Sequence, residues 1–151
     1  MSNSAVVLNS SFESFNLASP ILKNIEALGY TQATPVQAQV IPAAMAGGDW
    51  LVSSQTGSGK TAAFLLPLLN QLFIANPHGS PVPGRAQPKV LVLCPTRELA
   101  QQVTADAINL ARGIKGLRIA TIMGGMPYGK QIQAIKGAGL VVATPGRLLD
   151  L

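Results

Sequence analysis

A chain of 151 residues has single-domain length, enough to bury roughly 68–70% of its unfolded surface. Hydrophobic residues make up 48% and charged residues 11%, against about 25% charged in an ordinary soluble domain, which predicts apolar surface that something else normally covers. No apolar stretch approaches the roughly 18 residues of a membrane helix, Ala5-Val6-Val7-Leu8 lacks the basic start and length of a secretory leader, and the lone Cys94 excludes an internal disulfide. The expectation is a soluble, cytoplasmic protein with no membrane role. A net charge of +5 favours an anionic partner such as nucleic acid, although the basic residues form no dense run and charge alone leaves this open.

In chain order, residues 1–11 are Ser/Asn-rich and read as a flexible N-terminal arm. Ser19-Pro20 supplies an N-cap and a first-turn proline, Ile21, Leu22, Ile25 and Leu28 follow at helical spacing, and Gly29 closes the helix. Thr34-Pro35 repeats the device for a second helix that ends near Gly47-Gly48. Trp50-Leu51-Val52-Ser53 is a short β-rich run, followed by a glycine loop and a helix from Lys60 toward Asn76. Residues 77–88 are too rich in Pro and Gly for regular structure and read as an exposed connection carrying His78, the only histidine. Three more β-rich runs follow, Val90-Leu91-Val92-Leu93, Ile119-Ala120-Thr121-Ile122 and Leu140-Val141-Val142-Ala143, each with a turn and a helical stretch behind it. Four apolar, non-alternating strands among helices predict an α/β fold with a parallel sheet covered on both faces. Right-handed crossovers then bring the strand C-termini to one edge, where such folds bind ligands.

The turns at that edge carry the chemistry. After the first strand stands Ser54-Gln55-Thr56-Gly57-Ser58-Gly59-Lys60-Thr61, a strand–glycine loop–helix arrangement that wraps backbone N–H groups around a phosphate chain. Gly57 and Gly59 let the backbone approach phosphate oxygens, Lys60 offers its ammonium to the β/γ-phosphates, and the Thr61 hydroxyl can ligand Mg²⁺. Ser54 occupies the place where the general pattern begins with Gly, and glycine-rich turns also arise for purely structural reasons. The Gly-Lys-Thr ending, the strand before it and the helix after it favour nucleoside triphosphate binding. The other turns are Pro95-Thr96-Arg97-Glu98, Gly124-Gly125 and Thr144-Pro145-Gly146-Arg147, hydroxyls, glycines and arginines at helix starts that suit a phosphate backbone. Thr96 and Thr144 also serve as simple N-caps and the glycine pair as a tight turn; three such turns beside a triphosphate loop favour binding.

These motifs resemble the N-terminal part of a DEAD-box ATP-dependent RNA helicase, and the match covers Phe12 to Leu151. Gly29-Tyr30-Thr31-Gln32-Ala33-Thr34-Pro35-Val36-Gln37, Gln55 to Thr61, Pro95 to Ala100, Gly124-Gly125 and Thr144 to Leu148 stand in family order; Ala33 and Ser54 replace the usual proline and alanine. The resemblance implies a partial RecA-like ATP-binding domain over residues 12–151. It implies that Gln37 reads adenine, with Phe12 and Tyr30 as stacking candidates or simple packing residues. Ser54, Gln55, Thr56, Gly57, Ser58, Gly59, Lys60 and Thr61 would hold ATP, with Lys60 and Thr61 as its catalytic side chains and Thr61 on Mg²⁺. Pro95, Thr96, Arg97, Glu98, Gly124, Gly125, Thr144, Pro145, Gly146 and Arg147 would grip one RNA strand without regard to sequence.

The chain stops at Leu151 and contains no Asp-Glu-Ala-Asp segment. By the resemblance that segment supplies the acidic residues for Mg²⁺ and the attacking water, and a second RecA-like domain supplies arginines. The expectation is a fragment of a longer helicase, inactive alone; the alternative is a naturally truncated, non-catalytic nucleotide- or RNA-binding module.

Overall fold

The computed structural model describes residues 11–55, 57, 59–79 and 88–150. Thr56, Ser58 and nearly all of the expected N-terminal arm lie outside the described residues. Three parallel strands, β1 (Val90–Leu93), β2 (Ile119–Ile122) and β3 (Leu140–Ala143), form one sheet in the order β1-β3-β2. The register pairs Val90 and Ile119 with Leu140, and Leu93 and Ile122 with Ala143. All three strands therefore finish level, and the turns that follow them share one edge.

Local signals account for most helix boundaries. Helix α1 (Ser19–Ala27) ends in a Schellman motif, with Gly29 at φ +82°, Tyr30 N donating to Ile25 O at 3.1 Å and Gly29 N to Glu26 O at 2.9 Å. Its start differs from the sequence expectation, because Ala18 and not Ser19 is the N-cap. The Ala18 N–H is satisfied from a distance, donating to Asn70 Oδ1 at 2.7 Å, so the buried Asn70 replaces a local cap. Helix α2 (Pro35–Met45) opens with a capping box: Thr34 Oγ1 accepts from Gln37 N, and Thr34 N donates to Gln37 Oε1 at 3.0 Å. Helix α3 (Lys60–Ala75) follows the glycine loop, and α4 (Arg97–Leu110), α5 (Tyr128–Ile135) and α6 (Pro145–Asp150) follow β1, β2 and β3. Asn24 Nδ2 donates to Leu110 O at 2.8 Å, tying α1 to the end of α4.

Helices cover one face of the sheet and the β2–β3 part of the other. Ile21 and Ile25 of α1, Ile41 of α2, Leu65, Leu66 and Leu69 of α3 and Val103 of α4 pack with Leu140 and Val142 of β3. Val141 and Ala143, which point the other way, pack with Ala120, Ile122 and Ala138, flanked by Ile135 and Leu148. Each fully buried Leu or Ile contributes about 1.5–3 kcal/mol, and the alternation of β3 between two cores is why its run is apolar throughout.

The expected fourth strand is not formed. Residues 50–53 carry no regular structure, and Leu51 is fully exposed at 101%. A strand exists only through a partner's ladder, and among the described residues none lies beside this run; it borders instead an open cavity of about 300 Å³ against Val36, Gln39, Val40 and Ala43 of α2. The outer strand β1 likewise leaves Leu91 and Leu93 exposed. These side chains are the uncovered apolar surface that the low charge content foreshadows.

Candidate nucleotide and nucleic-acid site

The first cluster lies where the glycine loop meets α2. Gly57 and Gly59 have φ of +82° and +85°, a left-handed conformation that costs other residues energy. Gly59 is the N-cap of α3, so the first N–H groups of this 16-residue helix have no intrahelical partners and favour an anion. Lys60 Nζ donates to Ser54 O at 3.0 Å, closing the loop on itself. Gln37, buried, uses both ends of its carboxamide: Oε1 completes the capping box and Nε2 donates to Gly59 O at 3.1 Å. A Cβ on Gly59 would collide with Gln37 Nε2 and stand 2.9 Å from Thr34 Oγ1. The glycine is therefore required for conformation and for space, and it lets residue 37 brace the glycine loop.

The candidate aromatics separate. Phe12 is buried edge-on against Phe15 at a centroid distance of 6.0 Å, which commits its ring to packing. Tyr30 is 49% exposed. Among the described residues no three His, Cys, Asp or Glu side chains gather as a metal-holding group; the oxygen at the start of α3 suited to Mg²⁺ is the Thr61 hydroxyl. Cys94 is a buried packing residue whose thiol is pushed up by burial.

The second cluster is the sheet edge, where three turns are wired together. Thr96 caps α4, accepting from Leu99 N at 3.2 Å, and Arg97 Nη1 reaches across to donate to Gly124 O at 3.2 Å. A Cβ on Gly125, at φ +84°, would stand 2.6 Å from that guanidinium nitrogen. From the other side Arg147 Nη1 donates to Met126 O at 3.1 Å and to Gln131 Oε1 at 3.3 Å, its guanidinium lying 5.7 Å from the Tyr128 ring centroid. Tyr128 in turn donates its hydroxyl to Asp150 O at 2.8 Å. The glycine turn is thus clamped between two arginines, and the remaining N–H groups of each guanidinium are left for other acceptors. The sequence reading missed Gln131 and Tyr128. Gln131 had a usable signal: it shares the apolar stripe of α5 with Ala134 and Ile135, where a carboxamide is out of place unless it has partners.

A model of the DEAD/DEAH box helicase family matches residues 34–151. The chain belongs to that family. It is 41% identical over 140 residues to the ATP-dependent RNA helicase RhlB of Xanthomonas axonopodis pv. citri (strain 306), covering 92% of this chain and 24% of the relative. It is 46% identical over 141 residues to the ATP-dependent RNA helicase DbpA of Escherichia coli (strain K12), covering 92% and 29%. The solved RNA-helicase Prp28 from Chaetomium thermophilum bound to ADP superposes with a TM-score of 0.79 at 37% identity, over 93% of this chain and 33% of that one. The fold is accordingly the RecA-like one expected, a parallel sheet flanked by helices, and the chain spans about a quarter of the length of these two helicase relatives.

Proposed function

We propose that this chain binds ATP at the α2–glycine loop junction and the backbone of one RNA strand at the sheet edge, as the nucleotide- and RNA-holding part of an ATP-dependent RNA helicase. The observation that carries the reading is the bond from Gln37 Nε2 to Gly59 O, because it ties a side chain able to recognise a purine edge to the loop suited to phosphates. Gln37 keeps one N–H and one lone pair beyond its two protein bonds, enough for a paired contact with adenine N6 and N7. Tyr30, through its exposed ring, is the stacking residue, while Phe12 is packed against Phe15 in the core. Gly57, Gly59 and the first amides of α3 would hold the phosphates, with Ser54, Gln55, Thr56 and Ser58 completing the loop. Lys60 would turn from Ser54 O to the β/γ-phosphates, and Thr61 would hold Mg²⁺, which when bound neutralises phosphate charge.

At the other site Pro95 to Glu98, Gly124-Gly125 and Thr144 to Arg147 would contact sugar and phosphate only, so binding is insensitive to sequence and sensitive to salt. With no Asp-Glu-Ala-Asp segment in the 151 residues, the chain by itself binds ATP without turning it over. The decisive experiment compares fluorescent ATP and GTP analogues on wild type and Gln37→Ala. Wild type should prefer adenine, and the variant should lose a preference of about 1–3 kcal/mol. An unchanged ratio would remove Gln37 from base recognition, and no analogue binding at all would end the reading.

A further inference from the structure

We propose that Gln131 is a positioning residue for the backbone N–H of Gly124, holding it outward for a phosphate oxygen of RNA; this rests on the nucleic-acid reading of the sheet edge given above. Gln131 is 1% exposed and stands on the sheet-facing stripe of α5, a place where an apolar side chain would avoid the cost of burying an amide. Its Nε2 donates to Met123 O at 2.6 Å, the shortest of its contacts, while its Oε1 accepts the longer bond from Arg147 at 3.3 Å.

Peptide geometry makes that contact consequential. In a planar trans unit the C=O of one residue and the N–H of the next point in opposite directions, and the chain has no cis bond among the described residues. A buried donor that draws the Met123 carbonyl inward therefore turns the Gly124 N–H outward. Arg97 is exposed and donates to Gly124 O, so by the same geometry the Gly125 N–H points away from that guanidinium. Neither glycine N–H donates to an acceptor among the described residues, and a Cβ on Gly124 would meet nothing within 4 Å. The Gly124 N–H is thus left as a donor for a ligand in the turn that Arg97 and Arg147 flank. Arg147 has its own anchor in Met126 O, so the distinct work of Gln131 is on the Met123–Gly124 unit.

The test uses the whole 151-residue chain, ¹⁵N-labelled, with Gln131→Met, which keeps the volume and loses the carboxamide, and Gln131→Asn, which keeps the carboxamide and cannot reach; either decides the matter if the other fails to fold. The Gly124 amide resonance should move in the variant. Affinity for a fluorescent oligouridylate should fall at least about tenfold, the effect of one hydrogen bond to a charged group. The salt slope should match wild type, because a neutral amide releases no counterion, and ATP-analogue affinity should be retained. An unmoved Gly124 resonance or undiminished RNA affinity overturns the proposal. So does a slope flattened as in Arg147→Ala, which would place the action of Gln131 on the arginine. If wild type itself binds no oligouridylate, the RNA reading fails and takes the phosphate role with it, while the Gly124 resonance still decides the positioning.

Discussion

Replacing Gly59 with alanine loads the junction between α2 and the glycine loop. At φ +85° an alanine carries about 1–2 kcal/mol of left-handed strain. Its Cβ would also drive into Gln37 Nε2, and the carboxamide cannot retreat without releasing Gly59 O at 3.1 Å and Thr34 N at 3.0 Å. At about 1 kcal/mol net for each bond, Gly59→Ala should destabilise the chain by about 3–4 kcal/mol in total. In a Gln37→Ala background the collision with the carboxamide and both bonds are already gone, leaving the backbone strain of about 1–2 kcal/mol and the Thr34 Oγ1 contact at 2.9 Å, which are common to both backgrounds. The two substitutions should therefore couple by about 2 kcal/mol. Urea denaturation of wild type, both single variants and the double variant, followed by far-ultraviolet circular dichroism, closes the cycle. Additivity to within about 0.5 kcal/mol would refute the contact between Gly59 and Gln37 as the reason for the glycine.

Lys60→Ala removes a charge-assisted bond worth about 1.5–3 kcal/mol and should weaken ATP-analogue binding at least tenfold by the same principle; equilibrium fluorescence titration reads it directly. Arg147→Ala should lower affinity for single-stranded RNA evenly across sequences and make the salt slope shallower by about 0.7, measured by titration at several salt concentrations. Burial raises the Asp106 carboxyl above its ordinary value, so the folded chain binds that proton more tightly than the unfolded chain. The resulting stabilisation is complete below the ordinary carboxylate pKa and disappears as pH rises through the raised one. Asp106→Asn should accordingly gain on wild type in denaturation midpoint as pH rises through the acid range, and parallel profiles would remove desolvation as the cause.

Much of the site was legible in the chain because its signals are local. Thr34-Pro35 with Gln37 three residues on is a capping box whatever surrounds it, Gly29 terminates α1 by its own φ, and the glycine loop before α3 follows from residues 54–61. The common edge of strand ends was equally readable, since parallel strands joined by helices must finish together. What local pattern could not convey is pairing. Residues 50–53 have the composition of a strand, and yet a strand is a relation between two segments, which this run does not have among the described residues.

The same distinction governs the side chains. Arg97 and Arg147 announce a cationic surface by type and position, and that much belongs to the sequence. Their attachment to the carbonyls of Gly124 and Met126, and the place of Gln131 beneath the glycine turn, came into being only when the order β1-β3-β2 set three separate turns side by side. Composition and spacing determined which cationic, hydroxyl and glycine groups this protein has in its turns. Tertiary structure decided which of them touch, because hydrogen bonds form across a few ångströms of space between residues far apart in the chain.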